Sequence, residues 1–175
     1  MQKSKILLFN HTLSIGGGEK HTVGLAKLFI EQGFDVDVMI STGIEEEFYD
    51  NELLKIGAKV IRINYLGRRS FLNPNFLKLF FKFRLMPNPY SAYVVVNVIN
   101  YYTFSKLIGS SAKVNIWHIG NAVQYLDGKI GVPKTWFQRK NIKLWLINKY
   151  QKTELEQEFG ELHCEIHYSK LFMDS

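Results

Sequence analysis

The sequence predicts an α/β fold: a Rossmann-like open, mainly parallel sheet of about six strands with helices on both faces. Three observations predict it. Short apolar runs alternate with helical patterns along the chain. Residues 5–42 read as strand, glycine-rich turn, helix and strand in immediate succession. The apolar runs are continuous rather than alternating, the pattern of strands covered on both faces. Hydrophobic residues make up 46% and aromatic residues 14% of the 175 positions, enough for one domain with a substantial core and too much for a disordered chain.

Taken in order, Ile6 to Phe9 form the first strand and Val36 to Ile40 the second, with Gly33 ending the helix between them. Val23, Leu25, Ala26, Leu28, Phe29 and Ile30 give that helix a broad apolar face, and Lys20, Lys27, Glu31 and Gln32 lie away from it. Gly16, Gly17 and Gly18 stand where the first strand hands over to the helix. Without Cβ atoms they let backbone N–H groups approach a ligand, and the helix N-terminus adds partial positive charge suited to phosphate or another anion. Val60 to Ile63 reads as a third strand, Asn75 to Leu85 as a helix and Tyr93 to Val98 as a fourth strand. Tyr101 to Leu107 is a short helix closed by Gly109, and Lys113 to His118 is the fifth strand. Gly120 to Val132 is a loop punctuated by Gly128 and Gly131. Pro133 then opens a long helix from about Lys134 to Phe159, which Gly160 ends. Cys164 to Tyr168 is the sixth strand. Internal repeats and low-complexity linkers are absent from the sequence.

Charge is distributed unevenly. Residues 54–125 contain no Asp or Glu but ten cations, whereas the first 52 residues hold nine acids against four bases. A positive face of this kind suits phosphates or an anionic membrane, or is simply solvated. Within it, Phe76, Leu77, Phe80, Phe81 and Phe83 cover most of a helix that also carries Lys78, Lys82 and Arg84, preceded by Arg68 and Arg69. Such a helix packs on the sheet as the third crossover, or lies in a headgroup region, or does both with different faces. The same stretch, with Tyr65, Phe71, Tyr101 and Tyr102, also offers a weaker nucleic-acid reading. Met1 to Lys5 run directly into a core strand without an apolar leader, so a cytoplasmic protein is expected. The lone Cys164 reads as a small buried side chain.

The wording of the glycine turn carries a resemblance. Residues 16–40 are similar to the N-terminal domain of family 4 glycosyltransferases of the GT-B fold, in which a GG-x-E-[KR] turn follows the first strand. Gly16, Gly17, Glu19 and Lys20 match it, and Gly33 to Val36 match the family's G-[FH]-x-V turn. The strand ending in His118 resembles the family's strand that ends in a histidine beside the acceptor and donor cleft. Glu165 to Lys170 resembles the strand and serine that close its N-terminal domain. The likeness spans nearly all of the chain, and the first motif is the specific one.

The resemblance implies one GT-B N-terminal domain over residues 1–175, with the C-terminal nucleotide-sugar domain missing. The intact protein would move a hexose from a nucleotide-diphosphate sugar to an acceptor hydroxyl on a polysaccharide of the cell envelope or a lipid-linked carrier, and this chain alone would be inactive. It implies no metal and no cofactor, with the nucleotide sugar as substrate, and no nucleic-acid partner. His118 becomes the candidate catalytic group, beside the sugar but not a nucleophile. Gly16, Gly17, Gly18, Glu19, Lys20, Asn97, Asn100, Gly120 and Asn121 become donor- or acceptor-binding residues. Arg68, Arg69, Lys78, Lys82 and Arg84 form the surface toward the acceptor or the inner face of the membrane. The alternative is a stand-alone, non-catalytic or split-enzyme subunit recruiting a donor-binding partner through an apolar edge at Tyr168 to Met173.

Other chemistries fit less well. His21 stands where a dinucleotide fingerprint needs its third glycine, and Ser41 to Gly43 close the second strand where a ribose-binding acid is required. No G-x-x-x-x-G-K-[ST] motif is present. Asp35 and Asp37 resemble a metal-binding D-x-D but open a strand, where solvated acids are expected. His163, Cys164 and His167 are too few for a zinc site. His21 is expected to be structural.

Overall fold

A computed structural model describes residues 3–43, 45–65, 67–109, 112–120 and 137–170. Among these residues seven strands form one sheet: β1 (Lys5–Asn10), β2 (Asp35–Ile40), β3 (Lys59–Arg62), β4 (Ala92–Val96), β5 (Val114–His118), β6 (Ile142–Leu146) and β7 (Glu165–Tyr168). They lie in the order β3-β2-β1-β4-β5-β6-β7, and every neighbouring pair is parallel. Among the described residues five helices accompany them: α1 (Gly17–Glu31), α2 (Asp50–Lys55), α3 (Pro74–Leu85), α4 (Val98–Ile108) and α5 (Lys149–Phe159), with a 3-10 turn at Gly67–Leu72.

Strand order dictates the layers. A right-handed crossover puts its helix on one face when the chain steps toward β3 and on the other when it steps toward β7. Accordingly Val23, Leu25 and Ala26 of α1 and Leu53 of α2 pack with Ile6, Leu8, Val38 and Val94 on one face. Phe76 of α3, Tyr101 and Phe104 of α4, and Leu155 and Phe159 of α5 pack with Leu7, Phe9, Val95 and Ile116 on the other. Central strands β1 and β4 are thus apolar toward both sides, as their uninterrupted composition requires. Each such fully buried side chain contributes roughly 1.5–3 kcal/mol.

The α/β class and the parallel sheet stand as expected, and three local expectations do not. The long helix to Phe159 is instead β6 followed by α5. Ile142, Leu144 and Leu146 are buried while Lys143 is exposed, a period of two inside a charged surround. Asn148 then caps α5 by accepting from Gln151 N at 3.1 Å. Helix α4 begins at Val98, three residues before the expected Tyr101, because Asn97 makes the turn from β4 at once. Asp37 is not solvated. It is 4% exposed, accepts from Tyr90 Oη at 2.7 Å and pairs with Lys5 Nζ at 2.9 Å, tying β2 to β1 and to the segment that enters β4. The loop from residue 121 to Val132, Pro133 and the helix start at Lys134 lie outside the described residues.

Candidate functional site

The strand sequence reverses direction between β1 and β4, so a crevice opens over the carboxyl ends of these strands. The turns following β1, β4 and β5 meet there. Residue by residue, the crevice is built on a buried amide network. Asn10, the first polar residue after the apolar run of β1, donates Nδ2 to Thr22 Oγ1 at 2.9 Å and accepts at Oδ1 from Asn100 Nδ2 at 2.8 Å. Its Oδ1 also accepts from His11 N at 2.7 Å. Asn100 further donates to Val96 O at 2.6 Å. Asn100 therefore faces inward and holds α4 to β1 and β4.

Asn97 is the hinge of the site. Its φ of 67° is a left-handed conformation that few non-glycine residues adopt. Its Oδ1 accepts from Ile119 N at 3.0 Å and Gly120 N at 2.9 Å, which fixes the turn leaving β5 and leaves Nδ2 directed toward Gly18. Gly120 O accepts in turn from Gln151 Nε2 at 2.9 Å. A cleft of about 240 Å³, lined by Ile119, Gly120, Asn148, Tyr150 and Gln151, adjoins this turn.

Gly16 is the N-cap of α1, and no side chain caps this end. A Cβ on Gly17 would meet nothing within 4 Å, whereas one on Gly18 would sit 3.4 Å from Asn97 Nδ2. Glu19 folds back across Gly16, and Lys20 is exposed. The loop before this turn is clamped from outside. Glu47 accepts from Leu13 N at 2.9 Å and from Thr12 Oγ1, and pairs with Arg62 Nη1 at 3.3 Å, while Arg62 Nη2 also holds Asp50.

His118 ends β5 at 2% exposure. Its Nδ1 accepts a long 3.5 Å hydrogen bond from Val98 N at the start of α4, which leaves the proton on Nε2. That Nε2 has no partner among the described residues. Burial lowers its pKa to about 4, so at neutral pH it is an uncharged donor. His21 is likewise held to about 4 by burial, and its ring stands edge-on to Trp117 at 5.0 Å. The Cys164 thiol is 7% exposed and raised by burial to about 11, an unreactive state.

The crevice therefore gathers Gly16, Gly17, Gly18, Glu19, Asn97 and Gly120, with His118 buried beneath it. Asn121 and the Arg68 side chain lie outside the described residues. On α3, Phe76, Leu79, Phe80 and Phe83 face the core, and Lys78, Phe81, Lys82 and Leu85 face away from it. Phe71, Leu72 and Met86 are exposed nearby, as is Arg69. Arg84 behaves differently: it donates from Nε to Leu107 O at 3.3 Å and from Nη2 to Lys106 O at 3.1 Å, capping the last turn of α4. Sequence reasoning missed Asn10, Thr22, Glu47 and Gln151. Only Asn10 carried a local signal, as the polar residue that ends an apolar strand.

Among the described residues, no group of three or more His, Cys, Asp or Glu is placed to hold a metal ion, and no helix is long and apolar enough to cross a membrane. No family model matches the chain, and no curated protein matches it.

Proposed function

We propose that this chain is the acceptor-side domain of a GT-B-type glycosyltransferase, working in the cytoplasm at the inner face of a membrane. In the intact protein a second domain would bring a nucleotide-diphosphate sugar to the crevice, and this domain would hold the glycan or lipid-linked acceptor. The observation that carries the reading is Asn97: a strained amide, fixed by two backbone N–H groups, aimed at the glycine turn where the sheet reverses. Strain of this kind concentrates at ligand sites.

The uncapped N–H groups of the α1 first turn and the Asn97 amide position ligand oxygens. Neutral His118 serves as a hydrogen-bond donor through Nε2 and is not a nucleophile, since its low pKa and burial keep it uncharged. Lys78 and Lys82, with the exposed Phe81 and Leu85 beside them, would rest on anionic headgroups, bringing a lipid-linked acceptor to the crevice.

The test uses the protein at the length its source cell makes, found first by immunoblot. Membranes carrying it are incubated with a panel of radiolabelled nucleotide sugars. Transfer of label to lipid or glycan, lost in a folded His118→Ala variant, is the expected result. Absence of transfer from every donor, with the wild-type protein folded and its co-purifying partners present, overturns the reading.

A further inference from the structure

The three glycines read as an open anion cradle, yet the space in front of them is partly filled by this chain's own acid. Glu19 Oε2 occupies the position a Cβ on Gly16 would take, with Glu19 Cδ 3.1 Å from it. The positive pole of α1 therefore already faces a carboxylate from its own first turn. No described residue donates a hydrogen bond to that carboxylate. An incoming phosphate at about 4 Å from it would be disfavoured about fivefold in water, and far more in a closed cleft.

The opposite wall supplies a donor. Asn97 is 8% exposed, and its Oδ1 is consumed by Ile119 N and Gly120 N. Its Nδ2 stands 3.4 Å from where a Cβ on Gly18 would be and has no partner among the described residues. The two sides of the turn thus present an acceptor and a donor. Phosphate oxygens only accept, whereas a hydroxyl both donates and accepts.

We propose that the first turn of α1 is a hydroxyl-binding subsite for a neutral sugar, with Glu19 accepting from one hydroxyl and Asn97 Nδ2 donating to the same or the adjacent one. Its identification with the acceptor rather than the donor diphosphate rests on the sugar-transfer reading above; its preference for a polyol over an anion does not. Gly17 is left as the bare floor of the subsite, because a Cβ there meets nothing of the protein.

Backbone-amide NMR of the ¹⁵N-labelled protein tests this with two probes, methyl α-D-glucopyranoside and inorganic pyrophosphate. The glucoside is expected to shift Gly17, Gly18, Glu19 and the Asn97 side-chain amide. Its affinity should fall at least about tenfold in Glu19→Ala and in Gly17→Ala, the second variant serving because its added methyl meets only the ligand. Pyrophosphate should bind Glu19→Ala at least about fivefold more tightly than wild type, the factor a carboxylate at about 4 Å commands in water. Equal pyrophosphate affinity in wild type and Glu19→Ala, or glucoside binding indifferent to Glu19→Ala, overturns the subsite. Pyrophosphate bound tightly by wild type would do so while leaving sugar transfer standing, with the turn as a donor cradle. Silence of the turn toward both probes removes the subsite and the main support of the sugar-transfer reading together.

Discussion

Asn100 donates Nδ2 to Asn10 Oδ1 at 2.8 Å, joining positions 90 apart in sequence and locking the first turn of α4 onto the end of β1. Both amides are buried, and Asn10 reaches Thr22 of α1 with its other end. Two helices that leave the crevice in different directions are held by one side chain.

Asn10→Leu is therefore expected to destabilise the domain by about 2–4 kcal/mol, because His11 N loses its side-chain acceptor while the buried Asn100 amide and Thr22 hydroxyl each lose one of two hydrogen bonds, keeping those to Val96 O and Gly18 O. Urea unfolding measures it. The Asn10→Leu/Asn100→Leu pair should cost less than the sum of the single changes, since both halves of the bond vanish together. Simple additivity would show the two amides to be independent.

A second tie acts on the loop before the glycine turn. Glu47 and Arg62 have side-chain exposures of 20% and 13%, so their pair is poorly screened. Glu47→Ala should cost roughly 1–3 kcal/mol, and amide exchange at Leu13 should accelerate while β1 stays protected. Unchanged exchange at Leu13 would mean the loop holds itself.

The glycine turn and the sheet class were legible because their signals are local: a run of three glycines, and continuous apolar strands. β6 was not. Its period of two spans five residues, and Pro133 before it and Gly160 after it read as the two ends of one long helix until Asn148 is recognised as a cap. The crevice was only half legible for a related reason. Asn97's positive φ leaves no mark in a sequence, and the Asn10–Asn100 bond is set by topology that no local pattern encodes. Arg62 and Arg84 counted as surface charge, yet one is committed to Glu47 and Asp50 and the other to the carbonyls of α4.

Acid should weaken the fold through its buried histidines. In the unfolded chain His118 titrates near 6.5, and in the folded domain at about 4. Its contribution is complete above pH 6.5 and is lost as pH falls toward 4, since only the unfolded state takes the proton in that window. By pH 5 the loss is about 2 kcal/mol, a fall in Tm of roughly 4–8 °C for a chain of this size. His21 acts in the same direction. His118→Asn, which does not titrate, should remove its share of the pH dependence between 5 and 7. A variant with the wild-type pH slope would show that His118 is protonated in the native state.

The basic face offers a contrast within one helix. Lys78 and Lys82 point outward beside Phe81 and Leu85, whereas Arg84 is spent on α4. Basic residues near an anionic surface contribute about 1 kcal/mol each, so Lys78→Glu with Lys82→Glu should lower binding to phosphatidylglycerol vesicles by tenfold or more. Phe81→Asp should lower it further by removing a half-exposed ring. Arg84→Ala should instead lower Tm and leave vesicle affinity close to wild type, because its guanidinium is held by the carbonyls at the end of α4. Co-sedimentation beside a thermal melt separates the two effects. If the double lysine variant melts as wild type and still binds vesicles equally, the α3 face is an ordinary solvated crossover, and the membrane part of the proposed function falls.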